Sequence, residues 1–141
     1  MATKRLGVIM HGVTGRMGTN QHLIRSILAI RQQGGVELSN GSRAIPDPIL
    51  VGRNPEKVAA LATKHGIERW TADLDTALSE SKDTIFFDAG TTQMRPALLE
   101  KAIKAGKDIY CEKPIATNLA EAIESCRLAK QSGRSARYYR R

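Results

Sequence analysis

The stretch Leu6–Gly18, "LGVIMHGVTGRMG", decides the fold. Leu6 to Met10 is a short apolar run ending at a His-Gly pair, which reads as a buried strand. Gly12, Gly15 and Gly18 then recur every three residues, and the third opens a segment of helical periodicity. A glycine-rich turn between strand and helix lets backbone N–H groups approach a pyrophosphate, and the helix start adds partial positive charge. Gly15 and Gly18 match the second and third glycines of the dinucleotide pattern G-x-G-x-x-G; Val13 stands at the first position and Gly12 lies one residue earlier. The plainer reading is a tight turn without a ligand, and the strand-turn-helix setting favours the nucleotide. Gly12, Thr14, Gly15, Arg16 and Met17 are the candidate cofactor-binding residues of this turn.

Working outward, a helix is predicted from about Arg16 to Gln33, with Leu23, Ile24, Ile27, Leu28 and Ile30 near a 3.6-residue period, stopped by Gly34-Gly35. Asn40-Gly41 lies between two short alternating segments and predicts a hairpin with a type I′ turn. Further strands are expected at Ile49–Val51, Ile67–Thr71, Thr84–Ala89 and Asp108–Cys111. Between them fall helices from Pro55 to His65 behind an Asn54 cap, from about Asp73 to Ser79, and from Pro96 to Ala105. Asn118 and Glu121 suggest a capping box for a last helix to about Gln131. Strands that are continuous apolar runs, alternating with helices, specify a doubly wound α/β Rossmann domain with a parallel sheet covered on both faces. Residues 1–132 form that domain in this reading, and residues 133–141 are a basic tail without a strand.

In such a sheet ligands bind at the carboxyl ends of the strands. The second buried strand ends in "VGRNPEK", where an NAD site would place an acid for the ribose hydroxyls. Arg53 and Asn54 stand there instead, and a guanidinium grips a 2′-phosphate, so NADP is favoured over NAD. The plainer reading makes Arg53 a solvated loop residue and Asn54 a helix cap. Gly90 and Thr91 follow the "TIFFDA" strand and offer backbone and hydroxyl groups to the middle of the cofactor. The next strand closes in "CEKP", placing Glu112 and Lys113 near the nicotinamide end.

Composition narrows the classes. No apolar run approaches the ~20 residues of a membrane span, and the amino-terminal segment lacks a small-residue cleavage site, so neither membrane nor secretion is expected. Cys111 and Cys126 fit no disulfide framework or metal spacing, so a reducing cytoplasm is the default and no metal is expected. The net charge of +8 is concentrated in Lys130, Arg134, Arg137, Arg140 and Arg141. A basic tail, in a chain with only 4% aromatic residues to stack bases, argues against nucleic acid.

With "GVTGRMG", "VGRNPEK" and "KAIKAGKDIYCEKPIA", the chain resembles the amino-terminal domain of the Gfo/Idh/MocA oxidoreductases over about Leu6 to Ser132. The resemblance implies hydride transfer between NADP(H) and a sugar or polyol hydroxyl. It makes Lys113 the catalytic residue beside the nicotinamide, has Glu112 approach the nicotinamide ribose, and places at Pro114 a proline often preceded by a cis bond. Family members commonly carry a proline, then asparagine or threonine, and a histidine shortly after their fourth strand; Thr91, Thr92 and Arg95 stand here. They also continue into a second domain that binds the small-molecule substrate and forms the oligomer. The ending "QSGRSARYYRR" therefore suggests a truncated or frame-disrupted product, without a sixth strand and incomplete as an enzyme. Two alternatives remain: a non-enzymatic NADP-binding sensor, and a dihydrodipicolinate reductase-like enzyme, in which "CEKP" is unexpected.

Overall fold

The structure is a computed structural model and describes residues 2–138. Its sheet has seven strands. They are β1 (Thr3–His11), β2 (Val36–Glu37), β3 (Arg43–Val51), β4 (Trp70–Thr71), β5 (Asp83–Asp88), β6 (Asp108–Cys111) and β7 (Ala136–Tyr138). The spatial order is β2-β3-β1-β5-β6-β7, and β4 also pairs with β3. All pairings are parallel except the β2–β3 hairpin. The chain therefore winds from β1 outward through β3 to β4, then returns to β5 on the other side of β1. That reversal is the topological switch of a Rossmann sheet, and it opens a crevice at the carboxyl ends of β1 and β5.

Helices cover both faces, as the apolar strands require. Val8, Met10 and Phe87 pack under the first helix and under α2 (Pro55–Lys64). Their chain neighbours Ile9 and Phe86 turn to the opposite face, under α3 (Leu74–Ser79), α4 (Arg95–Lys104) and α5 (Leu119–Gln131). Strand alternation thus splits each apolar run between two cores. Asn54 caps α2, accepting the Lys57 N–H at 3.1 Å. Asn118 caps α5 in the same way through Glu121, whose carboxylate accepts the Thr117 hydroxyl.

Four details differ from the sequence expectation. The first helix is π-helical over Gly18–Leu28, and α-helical winding resumes at α1 (Ala29–Gln32). The wider i→i+5 winding brings Gly18, His22 and Leu23 inward and leaves Ile24 exposed, so a 3.6-residue template misplaces this face. Second, the Asn40-Gly41 hairpin forms, but only Gly41 has positive φ. Leu38 N–H donates to Ser42 O and Gly41 N–H to Leu38 O, a three-residue loop rather than a type I′ turn.

Third, β3 runs through Pro46 and Pro48, which a central strand would reject. On the side away from β1, β3 pairs with β2 only at residues 43–44 and with β4 only at 50–51. The prolines lie in the gap between those pairings. The fourth difference is β7. Residues 136–138 pair with β6, Ile109 N–H donates to Ser135 O, and Ser135 N–H donates to the Asp108 carboxylate. Main-chain bonding places this strand while Ala136 and Arg137 stay exposed, so no apolar run announces it. The sheet domain therefore extends past residue 132; Arg140 and Arg141 lie outside the described residues.

Candidate functional site

The glycine turn sits at the switch point. Gly12 has φ +76°, and a Cβ there would lie 2.3 Å from Gly90 N, so the β1 and β5 ends approach as only glycine allows. A Cβ on Gly18 would lie 2.4 Å from Gly12 O, which packs the helix start onto the turn. Gly15 is different: a Cβ there would meet only Gly12 O, at 3.5 Å, and Thr14, Gly15 and Arg16 are exposed. The turn is shut beneath and open above. Thr19 Oγ1 locks it by donating to Val13 O. Met17 is half-buried.

Beyond β3, a Cβ on Gly52 would lie 2.7 Å from the Val58 side chain and 3.7 Å from that of Thr14, so this loop passes close to the glycine turn. Thr14, Arg53, Asn54, Pro55, Glu56 and Lys57 line a cavity of about 590 Å³. The structure thus joins Thr14, Arg53 and Asn54, which the sequence named separately. Asn54 Oδ1 already serves the α2 cap. The acid missing after β3 has a substitute nearby, since Glu56 reaches the same cavity.

On the other side of the switch, Gly90, Thr91, Glu112 and Lys113 belong to two adjacent loops. Thr91 and Lys113 are exposed, Gly90 is half-buried and Glu112 is buried. Glu112 N–H donates to Asp88 O at 2.9 Å, which sets the end of β6 beside the end of β5. The Lys113–Pro114 peptide is cis. Glu112 Oε2 accepts the Lys113 N–H at 3.3 Å.

Sequence reasoning missed what holds these loops. Arg95 is 1% exposed, and its guanidinium donates to Asp88 Oδ2 at 2.7 Å, to Gly90 O at 2.7 Å, and to Pro114 O. Asp88 also accepts from His11 Nδ1 at 2.8 Å and from Gly90 N–H at 3.0 Å. Burial alone would push the Asp88 carboxyl up; the bonds from His11, Arg95 and Gly90 outweigh it and hold the group below the usual carboxylate range. One buried ion pair therefore ties the Gly90 loop to the Pro114 loop. From the other direction, His22 Nε2–H donates to Glu112 Oε1 at 2.5 Å. An arginine seven residues after a strand-end aspartate was the available signal; His22 gave none, because its burial depends on the π-helical winding.

A cradle that added Cβ atoms would fill, an open glycine above it, and a cation beyond β3 together fit a dinucleotide. Among the described residues no group of three or more His, Cys, Asp or Glu could hold a metal ion, and no helix is long and apolar enough to cross a membrane. Residues 6–139 match the model of an oxidoreductase family with an NAD-binding Rossmann fold. D-xylose dehydrogenase of Paenarthrobacter nicotinovorans is 51% identical over 126 residues, 89% of this chain and 32% of that protein. 1,5-Anhydro-D-fructose reductase of Ensifer adhaerens is 28% identical over 105 residues, 74% of this chain and 28% of that protein. A levoglucosan dehydrogenase solved with NADH and levoglucosan superposes with a TM-score of 0.78 at 24% identity, over 94% of this chain and 35% of that one, and shows the shared fold. The chain spans about a third of the length of these relatives. It belongs to the Gfo/Idh/MocA oxidoreductase family and corresponds to that family's NAD-binding Rossmann domain.

Proposed function

We propose that this domain binds NADP(H) and supplies the nicotinamide side of a site that oxidises a sugar or polyol hydroxyl, or reduces the matching carbonyl. The observation that carries the reading is the cavity joining Thr14 of the glycine turn to Arg53 beyond β3. Gly12, Gly15, Arg16 and Met17 would receive the diphosphate on main-chain N–H groups and the Arg16 cation. Arg53, with Thr14 and the Asn54 region, would hold the adenosine end, and its guanidinium suits a 2′-phosphate bidentately. Gly90 and Thr91 would line the middle, and Glu112 the nicotinamide ribose.

Lys113 is the proposed catalytic residue. The bound nicotinamide supplies the hydride chemistry. Lys113 contributes an ammonium at the carboxyl end of β6 that can orient and polarise the reacting oxygen. The sugar names of the relatives support a carbohydrate-like substrate, held together with parts of those proteins that lie beyond the aligned region.

Glu56 favours a second reading, because its carboxylate lines the same cavity and could serve ribose hydroxyls. Fluorescence titration of the chain with NADPH and NADH separates the two. The proposal expects NADPH to bind at least about tenfold more tightly, the scale of one charge-assisted contact. Equal or tighter binding of NADH would transfer the role to Glu56.

A further inference from the structure

His22 stands four residues beyond Gly18, on the helix that the glycine turn begins, yet it reaches the opposite side of the crevice. It is 4% exposed, its ring centroid lies 4.6 Å from that of Phe87, and its Nε2–H meets Glu112 Oε1 at 2.5 Å across 90 residues of sequence. Glu112 is itself 8% exposed, and its second oxygen accepts the Lys113 N–H. We propose that His22 is a positioning residue that fixes Glu112, and through it the Lys113 loop, so that the helix receiving the diphosphate is mechanically joined to the loop facing the nicotinamide. This rests on the dinucleotide reading above.

The physical argument starts from the carboxylate. A buried carboxylate without a strong donor either pays a desolvation cost or turns toward water. Phe87, whose ring lies 4.6 Å from the imidazole, packs against His22 and brings no charge of its own. With His22 in place, Glu112 has one oxygen held by the imidazole and the other held by the main chain of the catalytic loop. Arg95 fixes Pro114 O from the far side, so the tripeptide Glu112-Lys113-Pro114 is held at both ends. The π-helical winding is what turns His22 inward, which gives that unusual local structure a use at the site.

A purely structural role would weaken every ligand alike, whereas positioning acts on the nicotinamide half alone. The test compares NADPH with 2′-phospho-ADP-ribose, which lacks the nicotinamide, by calorimetry on the wild-type chain, His22→Ala and His22→Gln. The expected result is about tenfold weaker NADPH binding by H22A, the scale of one hydrogen bond to a charged group. Binding of 2′-phospho-ADP-ribose should change less than about twofold, and the glutamine amide, still able to donate to Glu112, should restore NADPH to within about threefold. If H22A does not fold, His22→Asn, too short to reach Glu112, takes its place. Equal losses for both ligands, or no loss for either, overturns the positioning role. If the wild-type chain prefers NADH, the same comparison with NADH and ADP-ribose applies and only the cofactor assignment changes. If it binds neither dinucleotide, the functional reading fails and this inference fails with it.

Discussion

Around the amino ends of β1, β4 and β5, charges are consumed by one another; around the carboxyl ends, most cations are left facing outward. At the first place Arg5 donates to Asp47 at 2.6 Å and to Asp83 at 3.0 Å, while Arg69 bonds the same two carboxylates. Asp83 is fully buried. At the second place Arg16, Arg53 and Lys113 are exposed, and none takes part in an ion pair among the described residues. Paired charge at one end of the sheet fixes strand register, and unpaired charge at the other is available to an anionic ligand. Arg95 is the exception at the carboxyl end, a buried cation that supports loops instead of meeting solvent.

The exception gives the largest expected effect. Arg95→Met should destabilise the domain by about 3–5 kcal/mol, because Asp88 would remain buried without its cation. Urea unfolding measures it. The sign of the pH dependence follows from Asp88. Its folded pKa lies below the ordinary value of 3.8, so its bonds stabilise the fold fully above that pH and are lost as pH falls through the lower folded value. The gap between wild type and R95M should therefore shrink below about pH 3.8. A gap that is constant with pH would mean Arg95 acts through packing alone.

A smaller loss is expected at the other end. Asp83→Ala removes the shared acceptor of Arg5 and Arg69, whose side chains are 40% and 28% exposed and can turn to water. A loss of about 2–3 kcal/mol follows, with NADPH affinity of the folded fraction unchanged. Weakened cofactor binding by folded D83A would break the division between the two ends. The cysteines sharpen the same contrast without touching stability. Cys111, buried at the end of β6, has its thiol pushed up to about 11 chiefly by burial, whereas Cys126 is exposed. Iodoacetamide should modify Cys126 in the native state and Cys111 only on unfolding. Equal native reactivity would show that the β6 end opens readily.

Much of this was legible in the sequence because it depends on local signals. The glycine spacing, the Asn54 and Asn118 caps, and the apolar runs at Leu6–Met10 and Thr84–Ala89 each specify a short piece of backbone, and the pieces add up to the Rossmann order. The unexpected parts depend on partners far away in sequence. Pro46 and Pro48 look wrong for a central strand until the gap between β2 and β4 is known. β7 is held by main-chain bonds to β6 and has no pattern of its own. His22 is turned toward Glu112 by a helix winding that a regular period does not describe. Arg53 and Lys113 could be singled out because strand ends expose them; Arg95 was read only as a departure from the family pattern, because its spacing from Asp88 takes on meaning only once both are seen to be buried.

The central claim is that Arg53 selects a 2′-phosphorylated dinucleotide at a site built on the glycine turn. Calorimetric titration of the wild-type chain and Arg53→Ala with NADPH and with NADH tests it directly. The account predicts that the substitution weakens NADPH by about 1–3 kcal/mol while NADH changes by less than about 0.5 kcal/mol and the unfolding midpoint stays put. Equal losses for the two cofactors, or no loss for NADPH, would contradict it.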